Sequence, residues 1–374
     1  MSLSPGATIG LLGGGQLARM TAMAARAFGY GVAVLDPDES CAAGGLADWK
    51  LTAPFDDPDA AGRFAERCDV VSYEIERIGE ASLREVAKRT LLRPSAEVLL
   101  TIQDRALQKR WLAAKGLPIA EHREARDAEE AAAAVRSLGG ACRLKARRGG
   151  YDGRGQAAAR SEADAHSAFA AAGGSPCVVE RELELAAELS VLVARRPAGE
   201  IAVYPVARNW HEDGVLAISQ LPGELPDAVC ERAKEVARTV AAELRVEGLL
   251  TIEFFLTRGG ELWINELSPR PHNTFHSADT ACATSQFEQY VRAICDLPLG
   301  ATQIVRPTAL ANLVGDLWCR DAPPRFERAL ALAGVKLHLY GKQPRPGRKV
   351  GHLLATARTA REAVAAVEAA RALL

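Results

Sequence analysis

A multidomain α/β protein is the fold class this sequence predicts, and three stretches predict it. Near the start, the apolar run Thr8-Ile9-Gly10-Leu11-Leu12 meets Gly13-Gly14-Gly15 and then an Ala-rich helical segment, the opening of a βαβ unit. In the middle, Ala146 to Gln156 reads ARRGGYDGRGQ, with Lys145 just before it; four glycines fall within seven residues, among three arginines. Later, GLLTIEFFLT at 248–257 and ELWINEL at 261–267 form two strand-like arms, each carrying a glutamate among apolar neighbours.

Composition narrows the function classes. The 374 residues are enough for two or three domains with sizeable cores. At 48% hydrophobic and 25% charged the chain reads as globular and soluble, and its net charge of −1 provides no global field for nucleic acid or anionic membrane. No apolar run approaches the roughly 20 residues of a membrane span. The start, MSLSPGATIGLL, has neither a basic region nor a cleavage site, so no signal peptide is expected. The eight cysteines form no C-x-x-C pair and predict reduced, buried thiols in a cytoplasmic protein. Only nine of the 46 basic residues are lysines, and Lys145, Lys342 and Lys349 each fall in a glycine- or arginine-rich loop.

Taken in order, the first unit runs strand, glycine turn, helix to about Phe28-Gly29, then the strand Val32–Asp36. A helix N-terminus behind glycines binds phosphate, and Gly13, Gly15 and Ala18 with Asp36 loosely fit a dinucleotide fingerprint. Asp69–Tyr73 is a further strand, with Glu74 and Glu76 at its C-terminal edge, where open α/β sheets bind ligands; these two carboxylates suit an amine or ribose hydroxyls, unless Glu76 only caps the helix beginning near Glu80. Ala96–Lys115 reads as one helical stretch, Ala128–Leu138 as the next helix. The glycine-rich loop then sits between strands at 141–144 and 156–159, followed by a helix over Ser161–Ala172. Strands are predicted at 177–180, 188–195 and 201–205, a polar turn at Asn209–Gly214, and an amphipathic helix over Asp227–Leu244. Element order places boundaries near 100 and 185, giving units 1–100, 101–185 and 186–374.

The glycine-rich loop can close backbone N–H groups on an anion, with Lys145 and the arginines adding charge. It lacks the G-K-[ST] of a Walker loop; its competitor is a solvated hairpin tip. In the later hairpin, a two-residue Gly259-Gly260 turn would pair Arg258 with Glu261 and set Glu253 opposite Glu266, Cβ atoms about 4.5–5.5 Å apart. Opposed carboxylates repel, and either a shared proton or a divalent cation offsets that; beside phosphate loops we read Mg²⁺ on oxygen ligands, with Asn265 offering another. Two solvent-facing glutamates are the plainer alternative. Ser268 to His276 (SPRPHNTFH) then supplies Arg270, His272 and Asn273 on a proline-stiffened loop, and Tyr340 to His352 (YGKQPRPGRKVGH) a basic loop suited to a single phosphate more than to nucleic acid.

Together these features resemble the ATP-grasp superfamily. More closely, GGGQLARM at 13–20, YEIE at 73–76, RRGGYDGRGQ at 147–156, NELSPRPHN at 265–273 and RPGRKVGH at 345–352 resemble the N5-carboxyaminoimidazole ribonucleotide synthetase family over essentially the whole chain. Where that family writes HNSGH, this chain has His272-Asn273-Thr274-Phe275-His276. The resemblance implies an ATP-grasp fold with an N-terminal Rossmann-like (pre-ATP-grasp) domain, a small lid domain and a C-terminal α+β domain. It implies a carbon–nitrogen ligase of purine biosynthesis: ATP phosphorylates bicarbonate to carboxyphosphate, and the exocyclic amine of 5-aminoimidazole ribonucleotide is carboxylated. It also implies Mg²⁺ and a homodimer.

By position in the motifs, the resemblance implies that Arg105 and Lys145 contact ATP phosphates and that Gly149, Gly150, Tyr151, Asp152, Gly153, Arg154, Gly155 and Gln156 form the lid. Glu180, Arg181, Glu182 and Leu183 would meet adenine, Glu188 the ribose, and His211 the nucleotide's surroundings. Glu253 and Glu266 would ligate Mg²⁺, with Asn265 beside them. Gln16, Leu17, Glu74, Glu76, Tyr151, Asp152, Arg154, His272, Asn273, Lys342, Arg348 and Lys349 would line the substrate site. Asp152, Arg154, Lys145 and Arg270 are the expected catalytic group, with Asp152 managing the amine proton. Three rivals remain open at this stage: another ATP-grasp ligase, such as a formate-using glycinamide ribonucleotide transformylase; a nicotinamide oxidoreductase built on the glycine turn and Asp36; and a non-catalytic nucleotide-binding module.

Overall fold

The computed structural model describes residues 2–150, 154–319 and 322–374. Its frame is three sheets. The first is parallel and five-stranded, in the order Trp49–Leu51, Gly31–Leu35, Thr8–Leu12, Val70–Tyr73, Leu91–Leu92. Its inner strands are largely apolar, as a parallel sheet covered on both faces requires, with Ser72 the buried polar exception. The second is antiparallel and four-stranded: His122–Ala125, Cys177–Arg181, Cys142–Ala146, Gln156–Ala159. The third is antiparallel and nine-stranded, running from Leu262–Ser268 through Gly248–Thr257 and Leu185–Arg195 to Lys349–Thr356 and Val335–Leu339.

The first and third sheets are riveted together. The Tyr290 hydroxyl donates to the Tyr73 carbonyl at 3.0 Å and meets Ser72. Buried Arg93 reaches Glu247 at 3.1 Å and donates to the Ile294 carbonyl at 2.8 Å. The C-terminal edge of Val70–Tyr73 is thereby held against the large sheet, and the site opens between them.

Three expected elements are corrected. The expected helix Ala96–Lys115 is two helices, Ala96–Ile102 and Arg105–Ala114, because Asp104 adopts an extended backbone and accepts from the Ala106 and Leu107 amides as an N-cap. The helix expected over Ser161–Ala172 opens with a 3₁₀ turn, Glu162–Asp164, before Ala165–Ala171. The expected polar turn at Asn209 is the strand Ala207–Glu212; only Asp213 and Gly214, both at positive φ, make the turn.

In the acidic hairpin the turn is odd, not two-residue. Thr257 pairs with Glu261 across Arg258-Gly259-Gly260, with Gly260 at φ +83°. That register would leave Glu253 off Glu266, but a bulge at Asn265 restores it, so Glu253 does face Glu266. Around Asn273 a 3₁₀ turn spans Asn273–Phe275; Phe275 keeps a negative φ and packs edge-on to Tyr204, so this backbone needs no glycine there. Of the eight free cysteines five are buried, while Cys41 and Cys230 are half-buried and Cys319 is exposed, against the expectation that all lie inside.

Candidate active site

One cavity of about 1620 Å³ lies where the three sheets meet, and all the site residues expected from the sequence that fall among the described ones line it. Tyr151, Asp152 and Gly153 lie outside the described residues. The cavity has a cationic end, an acidic middle and a second cationic end, each built by a different element.

The first cationic end begins at the helix break. Asp104 stops one helix and starts the next, which makes Arg105 its first residue, and Arg105 reaches Glu266 at 2.8 Å. Asp104 also holds Arg147 at 2.6 Å and Arg148 at 3.1 Å, tying the root of the glycine-rich loop to the same helix. Lys145, near the end of the strand Cys142–Ala146, donates to Glu180 at 2.9 Å and to Asn265 at 2.8 Å. Glu180 lies at 3.3 Å from a second buried lysine, Lys109. Burial alone would raise the Glu180 carboxyl, but the Lys145 and Lys109 charges hold it down at about 2. Across the cavity, Glu188 pairs with His211 at 3.0 Å; burial lowers that imidazole's pKa, yet the Glu188 bond leaves it raised overall.

The acidic middle follows from the bulge. Along a regular strand neighbours alternate sides; here Asn265 and Glu266 both face the cavity, with Asn265 on Lys145 and, at 3.3 Å, on Glu253. Glu253 is pushed up to about 7 by burial and by the Glu266 charge. For Glu266 burial raises the pKa too, but Arg105 and Lys145 leave it lowered overall. The two carboxyls are thus split, Glu253 raised and Glu266 lowered, because the cations lie beside Glu266. His272 stands 3.3 Å from Glu253 and is kept neutral by burial and by neighbouring cations, Arg270 first.

At the far end, Arg270 bonds Glu76 at 2.7 Å, so Glu76 is not the cap of the following helix, whose N-cap is Gly79. Lys342 donates to Gln16, joining the basic loop to the first helix. Arg348 donates to the Gln343 carbonyl at 3.2 Å, while Lys349 opens a strand, not a loop, and is buried. Leu17 packs with Met20, Phe287 and Tyr340 and offers the cavity only its edge.

The glycine turn at 13–15 does something the sequence did not disclose. Gly14 donates to Asp36 at 2.7 Å, and the Gly15 and Ala18 amides donate to the two oxygens of Glu74. The anion at this helix N-terminus is the chain's own carboxylate. The Gly14, Gly15 and Ala18 amides are thus taken by carboxylates, which counts against the nicotinamide reading. Glu74's pKa is raised by burial, with those amide bonds opposing.

Sequence reasoning missed Lys109 and Asp104. A signal existed: Arg105, Gln108, Lys109 and Leu112 repeat at the spacing of a core-facing helix stripe, and three of the four are polar. Metal chemistry has a defined limit: among the described residues no group of three or more His, Cys, Asp or Glu forms a metal site.

Comparison with known proteins covers nearly the whole chain. Residues 6–103 match the ribonucleotide synthetase preATP-grasp domain, 110–287 the ATP-grasp domain and 308–366 the phosphoribosylaminoimidazole carboxylase C-terminal domain. The N5-carboxyaminoimidazole ribonucleotide synthase of Brucella melitensis is 40% identical over 94% of this chain and 97% of its own length; that of Bacillus subtilis is 39% identical over 93% and 91%. A crystal structure of the Aspergillus clavatus N5-carboxyaminoimidazole synthase, with ADP and 5-aminoimidazole ribonucleotide, superposes with a TM-score of 0.91 at 32% identity, covering 99% of this chain and 98% of that one.

Proposed function

We infer the reaction from one premise: the chain belongs to the N5-carboxyaminoimidazole ribonucleotide synthase family. It is an ATP-grasp ligase that carboxylates 5-aminoimidazole ribonucleotide at the expense of ATP, in purine biosynthesis. The observation that carries this reading is one continuous cavity, which joins a cationic end, two opposed carboxylates and a second basic end. That layout suits a nucleoside triphosphate at one end and a phosphorylated ribonucleotide at the other. We divide the work among units 1–100, 101–185 and 186–374, a division supported by one sheet falling in each.

Bicarbonate is the co-substrate in this reading. Its oxygen attacks the γ-phosphorus of ATP, giving carboxyphosphate and ADP. Carboxyphosphate, or the CO₂ it releases, then reacts with the exocyclic amine; a C–N bond forms, phosphate leaves and the amine loses a proton. Arg105 and Lys145 neutralise charge growing on the transferring phosphoryl group, which they can do without reorganising because Glu266, Glu180 and Asn265 already fix them. Glu180 to Leu183 border the adenine, Glu188 with His211 the ribose. Arg270, anchored on Glu76, faces the point where bicarbonate and the amine meet. Lys342, Arg348 and Lys349 take the substrate phosphate, since the glycine turn is already filled by Glu74. The glycine-rich loop excludes water from a labile intermediate, and Asp152 accepts the amine proton.

The donor set fits Mg²⁺: the two opposed carboxylates are hard oxygen ligands, too few to enclose the ion, as expected where phosphates and water complete the shell, while Asn265 turns its amide nitrogen to Glu253 and its oxygen to Lys145. Glu253 and Glu266 would hold it, and it would neutralise phosphate charge. No helix among the described residues is long and apolar enough to cross a membrane; we place the enzyme in the cytoplasm, supported by eight free thiols, and as a homodimer, supported by the family resemblance. The reaction is tested by measuring ADP release with 5-aminoimidazole ribonucleotide and bicarbonate each omitted in turn. Full turnover without both would reject it.

A further inference from the structure

Lys109 is the most deeply buried lysine in the described chain, 1% exposed, and its ammonium has no hydrogen-bond partner. It does not line the cavity. It projects from the helix Arg105–Ala114 one turn beyond Arg105, toward the back of Glu180. Glu180 has one oxygen on Lys145 at 2.9 Å and the other toward Lys109 at 3.3 Å, and both side chains are nearly inaccessible.

An ion pair closed on itself has little field outside it. Lys145 and Glu180 alone would be such a pair, formally neutral, and Lys145 would bring little charge to an incoming phosphate. With Lys109 the group holds two ammoniums and one carboxylate, a net charge of +1. Glu180 is shared, so Lys145 keeps its positive field toward the cavity. Its ammonium has three donors; Glu180 and Asn265 take two, and the third is left for a ligand. Burial makes the third charge effective, because no solvent screens it. Its pairing with Glu180 comes on top of the one Lys145 already makes, so a methionine in its place would fill the space and leave Glu180 paired with Lys145.

We propose that Lys109 is a positioning residue for nucleotide binding: a concealed cation that offsets Glu180 and so gives Lys145 its full charge toward the polyphosphate. This rests on the ATP reading of the cavity, and it adds a residue that never touches the ligand.

The test uses the full chain and its charge dependence. Dissociation constants of AMP, ADP and ATP are measured in metal-free buffer for the wild type, Lys109→Met and Lys109→Arg. A charge acting at a distance harms each nucleotide in proportion to its phosphates. Lys109→Met is expected to weaken ATP on the order of tenfold, ADP less and AMP least, whereas Lys109→Arg keeps all three near wild type. Lys109→Gln is read in the same way should the methionine variant not fold. Equal weakening of all three nucleotides would mean that only packing was lost, and would overturn the proposal; so would unchanged binding, or an arginine variant that loses ATP selectively. A wild type that binds none of the three defeats the functional reading and this proposal with it, whereas a wild type that binds all three while the methionine variant loses none defeats the proposal alone.

Discussion

Two glycine-rich turns in this molecule look alike in sequence and do opposite things. At Gly13–Gly15 the amides are filled from within: Asp36 takes Gly14, and Glu74 takes Gly15 and Ala18. A Cβ on Gly15 would stand 2.4 Å from the Glu74 carboxylate, and one on Gly13 would stand 2.7 Å from its side chain. These glycines exist to let a side chain of the same protein come close. At Gly149 the reason is conformational: φ is +77°, and a Cβ would meet nothing within 4 Å. Gly149 faces the open cavity and not a partner within the chain. Glycines near a helix or hairpin report close backbone approach or positive φ; they do not say whether the approaching anion is a ligand.

If the comparison is right, changes around the second turn should alter turnover and leave the fold alone, while changes at the first should do the reverse. The sharpest case is Asp152→Asn in the second turn. A positioned general base is worth roughly 10²–10⁴-fold, so product formation should fall by that much while ATP still binds. If Asp152 only caps its own turn, asparagine does the work nearly as well, and normal carboxylation by this variant would sink the catalytic assignment.

Glu266→Gln comes next. It removes a carboxylate facing Glu253 and the partner of Arg105. Turnover should drop by about 10²–10³-fold, with a melting temperature close to wild type and a weakened response to added Mg²⁺. Retained activity with unchanged metal dependence would show that the opposed carboxylates are not a metal site.

Gly15→Ala tests the first turn. The new methyl group displaces Glu74 from amides it satisfies, costing about 2–4 kcal/mol by overpacking and lost hydrogen bonds. Thermal melting should detect it clearly. An alanine protein as stable as wild type would mean that the internal carboxylate is dispensable.

Glu180 connects stability to pH. Its folded pKa, about 2, lies below the ordinary 4.5 of an unfolded chain, so its contribution is present above pH 4.5 and is lost as pH falls toward 2. The contribution is on the order of 3 kcal/mol. Acid unfolding of wild type and Glu180→Gln should converge in that window; parallel curves would show that the carboxylate is not held by the two lysines.

The smallest effect is expected from Gly149→Ala. An L-residue at left-handed φ costs about 1–2 kcal/mol locally, so the Michaelis constant for ATP should rise severalfold while the melting temperature barely moves. A large loss of stability here would erase the distinction between the turns.

Much of this site was legible in one dimension. Strand and helix periods, the glycine turns and the run of motifs depend on residues a few positions apart, and local sterics decide them. Lys145, Arg270 and the basic loop could be picked out because charged residues on stiff or glycine-rich loops have few structural uses. The opposition of Glu253 and Glu266 was foreseen as well, but through a turn of the wrong length; a bulge at Asn265 rescued the register and also set two consecutive side chains toward the cavity. Tertiary structure alone decided the rest. Glu74 fills a turn 59 positions away, the carboxylate of Glu180 lies between two lysines 36 positions apart on different elements, and Asp104 breaks a helix to hold the root of a distant loop. Each of these places a buried charge or a bare amide against a partner far along the chain. Such pairings are chosen by the cost of leaving either group unsatisfied in a folded interior, and that interior does not exist until the sheets have come together.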